Sequence, residues 1–315
     1  MSEQRFVLVV SHTRRDDALV AAQDACEQLL TFGITPVMTS AELAEHQSFG
    51  ARQAIPSTAL GAIAELGVGC AVADLELAMV LGGDGTILKA AEIVRDAEVP
   101  LMGINLGHVG FLAESERNGL NDAVYRIAER DYQVRERMAL DVSVIVGGDE
   151  VFHTWALNEA TVEKSSRERM LEVVVEVEEH PLSSFGCDGI VMATPTGSTA
   201  YAFSAGGPVV WPSVEALLLV PLSAHALFAR PLVVKPDAMM AVEVLQRSAG
   251  HGVLWCDGRR TWELPPGARV EVRKSEKPVL LARLRQSTFT DRLVRKFSLP
   301  VAGWRGPDEQ TTPAS

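Results

Sequence analysis

The chain of 315 residues has no excess of positive charge: 29 lysines and arginines stand against 41 aspartates and glutamates, a net charge of −12. A protein whose main partner is a nucleic-acid backbone or an anionic membrane needs a basic face, and this balance argues against both. A small anionic ligand stays open, since backbone amides and a few local cations can hold one. Cysteine is scarce too. Cys26, Cys70, Cys187 and Cys256 lie far apart with no close pair at metal-ligand spacing. That argues against a disulfide-stapled scaffold and for reduced thiols in the cytosol. Long apolar runs are missing. Residues 6–10 are too few for a secretory leader and sit behind Arg5, while residues 214–234 are broken by Glu215, Pro221, His225, Arg230 and Pro231. Neither export nor membrane insertion is expected, and a cytoplasmic location follows.

What is present is the composition of a globular chain, 47% hydrophobic and 22% charged, able to bury a sizeable core. The length suits two domains of ordinary size. In the first third, short apolar runs alternate with helical patterns. Residues 6–10 read as a buried strand, 12–17 as a polar turn, and 18–32 as a helix with apolar residues at three- and four-residue spacing. Residues 77–81 and 101–104 read as further strands, 87–95 and 120–129 as helices. This alternation implies a parallel sheet with crossovers. Residues 40–60 show no period and are expected to be loop or poorly ordered.

From about residue 138 the period becomes two. Residues 141–146, 172–178, 241–245, 252–255, 269–273 and 279–285 alternate, with Val173, Val175 and Val177 on one face. Turn residues such as Gly147-Gly148, Pro265-Pro266-Gly267 and Lys277-Pro278 separate them. The expectation is an α/β N-terminal domain with a parallel sheet over 1–137 and a β-rich, layered domain over 138–287. A short helix at 288–298 can return the chain to the first domain, and the tail 300–315 is expected to be disordered. No internal repeat is visible.

The sharpest local feature is Gly82-Gly83-Asp84-Gly85-Thr86, between an apolar run and a helical stretch. Three glycines in four residues permit positive φ and close approach of a ligand to the backbone. At the end of a strand and the start of a helix, such a loop offers unpaired N–H groups and a favourable dipole to a phosphate. A carboxylate there repels phosphate, so Asp84 makes sense as a base for a hydroxyl nucleophile or as a group acting through a metal ion. The plainer alternative is a tight turn whose Asp caps the helix. No glycine loop ending in Gly-Lys-Ser/Thr occurs, and the stretch at 67–72 lacks the last glycine of a dinucleotide fingerprint. Lys89 either reaches a bound phosphate or is a solvated surface lysine.

Three further blocks follow. Residues 105–112, with Gly107 and Gly110, suggest a second close-approach turn on the same sheet edge, and His108 in it is either a ligand or acid/base group or a histidine satisfied within the loop. Residues 186–208 are dense in small residues, hydroxyls and glycines, unlike a packing strand, and offer hydrogen-bond partners for a polar ligand. Tyr201 offers an aromatic face for a base; a long Ω-type loop is the alternative. Asn158-Glu159 pairs an amide with a carboxylate that together can hold two ribose hydroxyls, although the dipeptide alone is common.

In order, GGDGT at 82–86, NLGHVGFL at 105–112, NE at 158–159 and GCDGIVMATPTGSTAYAFSAGGP at 186–208 resemble the NAD kinases. Those enzymes transfer a phosphoryl group to the 2′-hydroxyl of the adenosine ribose of NAD. SAHALFARPLVV at 223–234 and CDG at 256–258 match more weakly. The resemblance runs from about residue 5 to 285. GGDGT is shared with diacylglycerol-type lipid kinases and, in variant form, phosphofructokinases; the TPTGSTAY wording makes the likeness specific.

The resemblance implies an α/β domain followed by a β-sandwich-like domain, with the active site in the cleft between them. It implies ATP as donor, or inorganic polyphosphate as in some actinobacterial members with similar wording, together with Mg²⁺ or another divalent cation. It also implies NAD as acceptor and a homo-oligomer, dimer or tetramer. Asp84 would be the general base; Gly82, Gly83, Gly85 and Thr86 would surround the phosphates, with Lys89 nearby. Asn158 and Glu159 would fix the ribose hydroxyls. Asp188, Thr196, Thr199, Ala200, Tyr201, Ala202, Phe203 and Ser204 would line the rest of the NAD pocket. Arg169 would meet a phosphate or be a solvated charge. Two positions depart from the family: Arg259 where Gln is frequent after Asp-Gly, and Gly186 where some members carry a basic residue. A lipid or sugar kinase would have little use for Asn158-Glu159, and a module that merely senses dinucleotides would gain nothing from Asp84.

Overall fold

The computed structural model describes residues 4–53, 60–106, 110–113, 115–116, 119–166, 169–284 and 288–301. The chain forms two compact units, one from Met1–Arg135 with Leu281–Ser315, the other from Glu136–Leu280.

The first unit opens with β1 (Arg5–Ser11), α1 (Asp16–Thr31) and β2 (Ile34–Met38). Helix α1 lays Ala18, Ala21, Ala22 and Ala25, with Leu19, Cys26 and Leu29, on the sheet. Small side chains let helix and sheet approach closely, and two aspartates in the first turn suit the helix dipole. Gly33, at φ +71, turns the chain directly into β2. There follow α2 (Ser40–Gln53), β3 (Ala64–Glu65), β4 (Leu75–Leu81), α3 (Asp84–Val94), β5 (Leu101–Asn105), β6 (Ser115–Glu116), α4 (Leu120–Ala128) and β7 (Gln133–Arg137).

Helix α2 corrects the expectation of a loop at 40–60. Its period is helical, but the positions it buries include Glu42, His46 and Gly50 beside Leu43 and Phe49, so hydrophobicity does not trace the buried face. Residues 54–59 lie outside the described residues.

The second unit is a sandwich of two six-stranded antiparallel sheets. Its strands are β8 (Leu140–Val146), β9 (Asp149–Ala156), β10 (Glu159–Lys164), β11 (Leu171–Val177), β12 (His180–Cys187) and β13 (Gly189–Ala193). A short helix α5 (Tyr201–Ser204) precedes β14 (Leu217–Leu222), β15 (Leu232–Val234), β16 (Met240–Val244), β17 (Gly252–Cys256), β18 (Arg260–Leu264) and β19 (Arg269–Lys274). One sheet runs β15-β14-β13-β10-β17-β18, the other β12-β11-β16-β19-β8-β9. Their inner faces share one core, with Val142, Val144, Val173, Val175, Val242 and Val270 from one sheet and Val162, Ile190, Met192, Leu219 and Leu254 from the other. This is the alternation legible in the sequence. It weakens at the end of β11, where Val177 is only half-buried.

Strand β13 corrects the view of residues 186–208 as unlike a packing strand. All five of its residues are buried. Ile190 and Met192 face the sandwich, while Val191 and Ala193 pack with Leu218, Val220 and Ala202 on the outer side. A strand covered on both faces shows no alternation.

The chain finishes in the first unit with β20 (Val279–Arg283) and α6 (Phe289–Phe297). The first sheet then runs β3-β2-β1-β4-β5-β20-β7, with β6 beside β5, and β1 to β5 are parallel. Its core strands β1 and β4 are buried nearly throughout. The chain leaves β1 toward β2 and leaves β4 toward β5, so the carboxyl ends of β1 and β4 form a topological switch point, the usual ligand crevice of such sheets. The tail expected from residue 300 lies, beyond Val301, outside the described residues. All four cysteines are buried free thiols. Among the described residues no helix is long and apolar enough to cross a membrane.

Candidate functional site

The glycine loop sits at that switch point. Strand β4 ends at Leu81, Gly82 N–H donates to Ile104 O at 3.0 Å, and Gly83 caps α3. None of Gly82, Gly83 and Gly85 has a positive φ, contrary to the expectation, because the strand runs straight into the first helical turn. Their smallness serves space instead. A Cβ at Gly82 would overlap the buried Thr86 side chain, whereas Cβ atoms at Gly83 and Gly85 would meet nothing. The first is a packing requirement; the other two leave the backbone bare at a helix N-terminus, where an anion is favoured.

Asp84 is the first residue of α3 and is half-buried. Its Oδ2 accepts the N–H of Phe111 and its Oδ1 that of Leu112, each at 3.1 Å. The carboxylate occupies the place a Cβ would take at Gly110. The turn after β5 therefore holds the acidic group of the turn after β4. Gly107 and His108 lie outside the described residues.

Lys89 is tied to α2 rather than standing as a solvated surface lysine. Its Nζ donates to Glu42 Oε1 at 2.9 Å, and Glu42 is almost fully buried. Burial pushes the Glu42 carboxyl up, against the pull of Lys89. Ser11 N–H donates to Glu42 at 3.3 Å, and Ser11 Oγ lies 3.1 Å from His46 Nε2. His46, wholly buried, has its imidazole pushed down to about 4 by burial.

In the second unit Asn158 and Glu159 form the corner between β9 and β10. Asp257 fixes that corner: its carboxylate accepts Leu157 N–H at 2.9 Å, Asn158 N–H at 2.7 Å and Glu159 N–H at 3.4 Å. Asp257 and Gly258 have φ of +54 and +63, Arg259 N–H donates to Cys256 O at 3.0 Å, and Cys256 pairs with Arg260, so the three residues Asp257–Arg259 make the tight hairpin turn between β17 and β18. Arg259, where the family often carries Gln, is exposed at this turn. Arg260 donates to Asp257 at 2.7 Å, and its guanidinium lies 4.2 Å from the Trp155 ring centre. The sequence reading missed Asp257 and Arg260 as site residues. The signal was an Asp-Gly pair between two alternating runs, a hairpin mark.

The hydroxyl-rich block closes over this corner. Thr194 Oγ1 donates to Leu157 O at 2.6 Å, Ser198 Oγ to Pro195 O at 2.7 Å, and Thr199 Oγ1 to Thr196 O at 3.2 Å. A Cβ at Gly197 would overlap Asn158 O. Tyr201 N–H donates to Glu159 Oε2 at 3.3 Å. Burial first, then the charge of Asp257, pushes the Glu159 carboxyl up to about 8. Thr196 is buried, Thr199 and Ala200 are half-buried, and Tyr201, Phe203 and Ser204 are exposed. Ala202 is different: its side chain is wholly buried in the small outer cluster.

Asp188 and Arg169 are elsewhere. Glu159 pairs with Ala193 and Glu163 with Gly189, so Asp188 stands at the opposite end of the β10–β13 ladder from Glu159, about 16 Å away along the strands. There it meets Lys164 at 2.5 Å, and that partner holds its carboxyl below the usual range. Arg169 donates to Ala249 O at 2.7 Å beside a cavity of about 390 Å³, lined also by Met170, Glu172, Phe185, Gly186 and Arg247. At Gly186, where some family members are basic, a Cβ would press on Met170 at 2.6 Å.

A doubly wound α/β unit with an acidic glycine loop at its switch point, joined to a β-sandwich with a fixed amide–carboxylate corner, is the architecture of a nucleotide-dependent phosphotransferase. Family models specify it: residues 7–132 match the ATP-NAD kinase N-terminal domain and residues 157–284 the ATP-NAD kinase C-terminal domain. The chain belongs to the NAD kinase family. It is 61% identical over 308 residues to the NAD kinase of Leifsonia xyli subsp. xyli, covering 98% of this chain and 99% of the relative. It is 59% identical to that of Thermobifida fusca, covering 96% and 92%. The yeast NADH kinase complexed with NADH shares the fold at TM-score 0.82 and 18% identity, over 96% of this chain and 89% of that one.

Proposed function

We propose that the chain phosphorylates the 2′-hydroxyl of the adenosine ribose of NAD, with Asp84 as general base and ATP as donor. The hydroxyl gives its proton to the Asp84 carboxylate, its oxygen forms the new bond to the terminal phosphorus, and the bond from that phosphorus to the bridging oxygen breaks, releasing ADP and NADP. Catalysis of this kind depends on positioning and charge stabilisation more than on covalent chemistry. The observation that carries the reading is the double backbone anchor on Asp84 beside the bare helix N-terminus at Gly83–Gly85. A carboxylate that only capped α3 would point to its own helix; this one is held by another strand's turn.

Asn158 and Glu159 take the ribose hydroxyls, with Asp257 keeping their corner in place. Tyr201, whose N–H meets Glu159, and Phe203, two residues on, are exposed and suit stacking on a base. Asp188, at the far end of its ladder, cannot meet the ribose that Glu159 holds in the same subunit. It suits a homo-oligomer, dimer or tetramer, in which Asp188 serves the NAD site of a neighbouring copy. Among the described residues no three His, Cys, Asp or Glu side chains are grouped to hold a metal ion. In this reading a divalent cation arrives on the phosphates of the donor. Inorganic polyphosphate offers the same terminal phosphoryl group and is a second candidate donor. The acidic net charge and reduced thiols fit the cytoplasm. Incubating the full chain with Mg²⁺, NAD and either ATP or polyphosphate tests the reading: NADP formation with at least one donor is expected, and none with either would refute it.

A further inference from the structure

The Asp84 carboxylate hangs on the N–H groups of Phe111 and Leu112, and the C-terminal helix holds the peptide that carries them. In α6, Phe289 and Phe297 lie on one face, two turns apart, with ring centres 6.0 and 5.9 Å from that of Phe111. On the same face Arg292, buried, donates from Nη1 to the Phe111 carbonyl at 2.7 Å. The helix is pinned at its start by a reciprocal cap, Thr288 Oγ1 accepting from Asp291 N and the Asp291 carboxylate from Thr288 N. Phe111 is thus fixed through its ring and its carbonyl by α6, and its N–H is spent on Asp84.

Packing alone does not call for an arginine here. The stripe Phe289, Leu293, Phe297 is apolar, and burying a guanidinium on it is costly unless its donors are used. Arg292 uses one on the carbonyl of the residue whose N–H anchors the base. Gly110 removes the slack on the other side, since the carboxylate fills the space of a Cβ there.

We infer that Arg292 is a positioning residue for phosphoryl transfer: through the Phe111 carbonyl it sets the turn whose two amides aim the Asp84 carboxylate. The inference rests on the reading of Asp84 as the base. Misplacing a reacting group by about 1 Å costs on the order of a hundredfold in rate, while the residues proposed to bind NAD belong to the other unit and are untouched.

The test compares Arg292→Met, Arg292→Lys and Asp84→Asn with the parent in the full chain, measuring kcat, KM for NAD and calorimetric NAD affinity. Arg292→Met is expected to lose kcat by about thirty- to a hundredfold with KM and affinity for NAD within about twofold, and Arg292→Lys, which keeps a donor, to recover a substantial part. A kcat for Arg292→Met within threefold of the parent overturns the inference, and so does a loss that Arg292→Lys, folded and binding NAD, fails to recover. Should Arg292→Met not fold, Phe297→Leu takes its place: it is expected to lower kcat about tenfold at unchanged KM, and parent-like kcat overturns the inference equally. Asp84→Asn separates the two levels. If it is inactive while Arg292→Met is parent-like, only the positioning role fails; if it turns over normally, the base assignment fails and takes this inference with it.

Discussion

Asp257 binds the backbone N–H of Asn158 at 2.7 Å from 99 positions further along the chain. The corner that presents Asn158 and Glu159 is therefore held by a hairpin turn on a neighbouring strand, through one wholly buried carboxylate. Asp257→Ala would leave three N–H groups and the Arg260 guanidinium without their acceptor. Removing one partner of such a buried pair costs about 3–5 kcal/mol, to be read from urea unfolding. The gentler Asp257→Asn should fold, raise KM for NAD about tenfold, the effect of about 1.4 kcal/mol in binding, and leave kcat within a few-fold. A parent-like KM would mean the corner stands without Asp257.

In the proposed site Glu159 would make binding of the acceptor sensitive to pH, because its carboxyl, raised to about 8 by burial and Asp257, accepts both ribose hydroxyls fully only when ionised. NAD affinity should rise from pH 6 to 8, by at most about tenfold per unit, and level off above. In Glu159→Gln the dependence should vanish at a uniformly weaker affinity. Stability runs the other way. A carboxyl raised in the fold contributes stability that is complete below the ordinary carboxylate range and lost as pH climbs through about 8. Glu159→Gln should accordingly gain on the parent in urea melts between pH 5 and 9.

How far this was legible in the sequence depends on which faces each element buries. Strands β8, β11 and β19 bury one face and alternate. Strand β13 buries both and was mistaken for ligand-binding loop; α2 buries Glu42 and His46, so its period was hidden in polar residues. The glycine loop and the Asn158-Glu159 corner were visible as motifs. Their anchors, Phe111 and Leu112 for the first and Asp257 for the second, come from distant parts of the chain and act through backbone N–H groups, which no residue type announces.

Lys89 and Glu42 form a pair whose breaking should be felt in stability. Lys89→Met leaves the Glu42 carboxylate buried without its cation. With Lys89 about a third exposed, the loss should be about 2–3 kcal/mol, below the range for fully buried pairs. Adding Glu42→Gln to the same chain should recover part of it, a coupling that a double-mutant cycle reads directly. Additive effects would show that the two side chains do not depend on each other.

Asp188 predicts complementation between subunits. Asp84→Asn and Asp188→Ala chains should each be nearly inactive alone. In randomly mixed dimers about a quarter of the sites would combine an intact Asp84 with an intact Asp188 from the neighbour, and activity should return to that level. Mixtures as inactive as the separate variants would place Asp188 outside the NAD site.

The most direct measurement is turnover by Asp84→Asn alongside its calorimetric affinity for NAD. The account predicts a folded chain that binds NAD within a few-fold of the parent while kcat falls by about 10²–10⁴, the range for a lost general base. Near-parent turnover at parent-like affinity would contradict it.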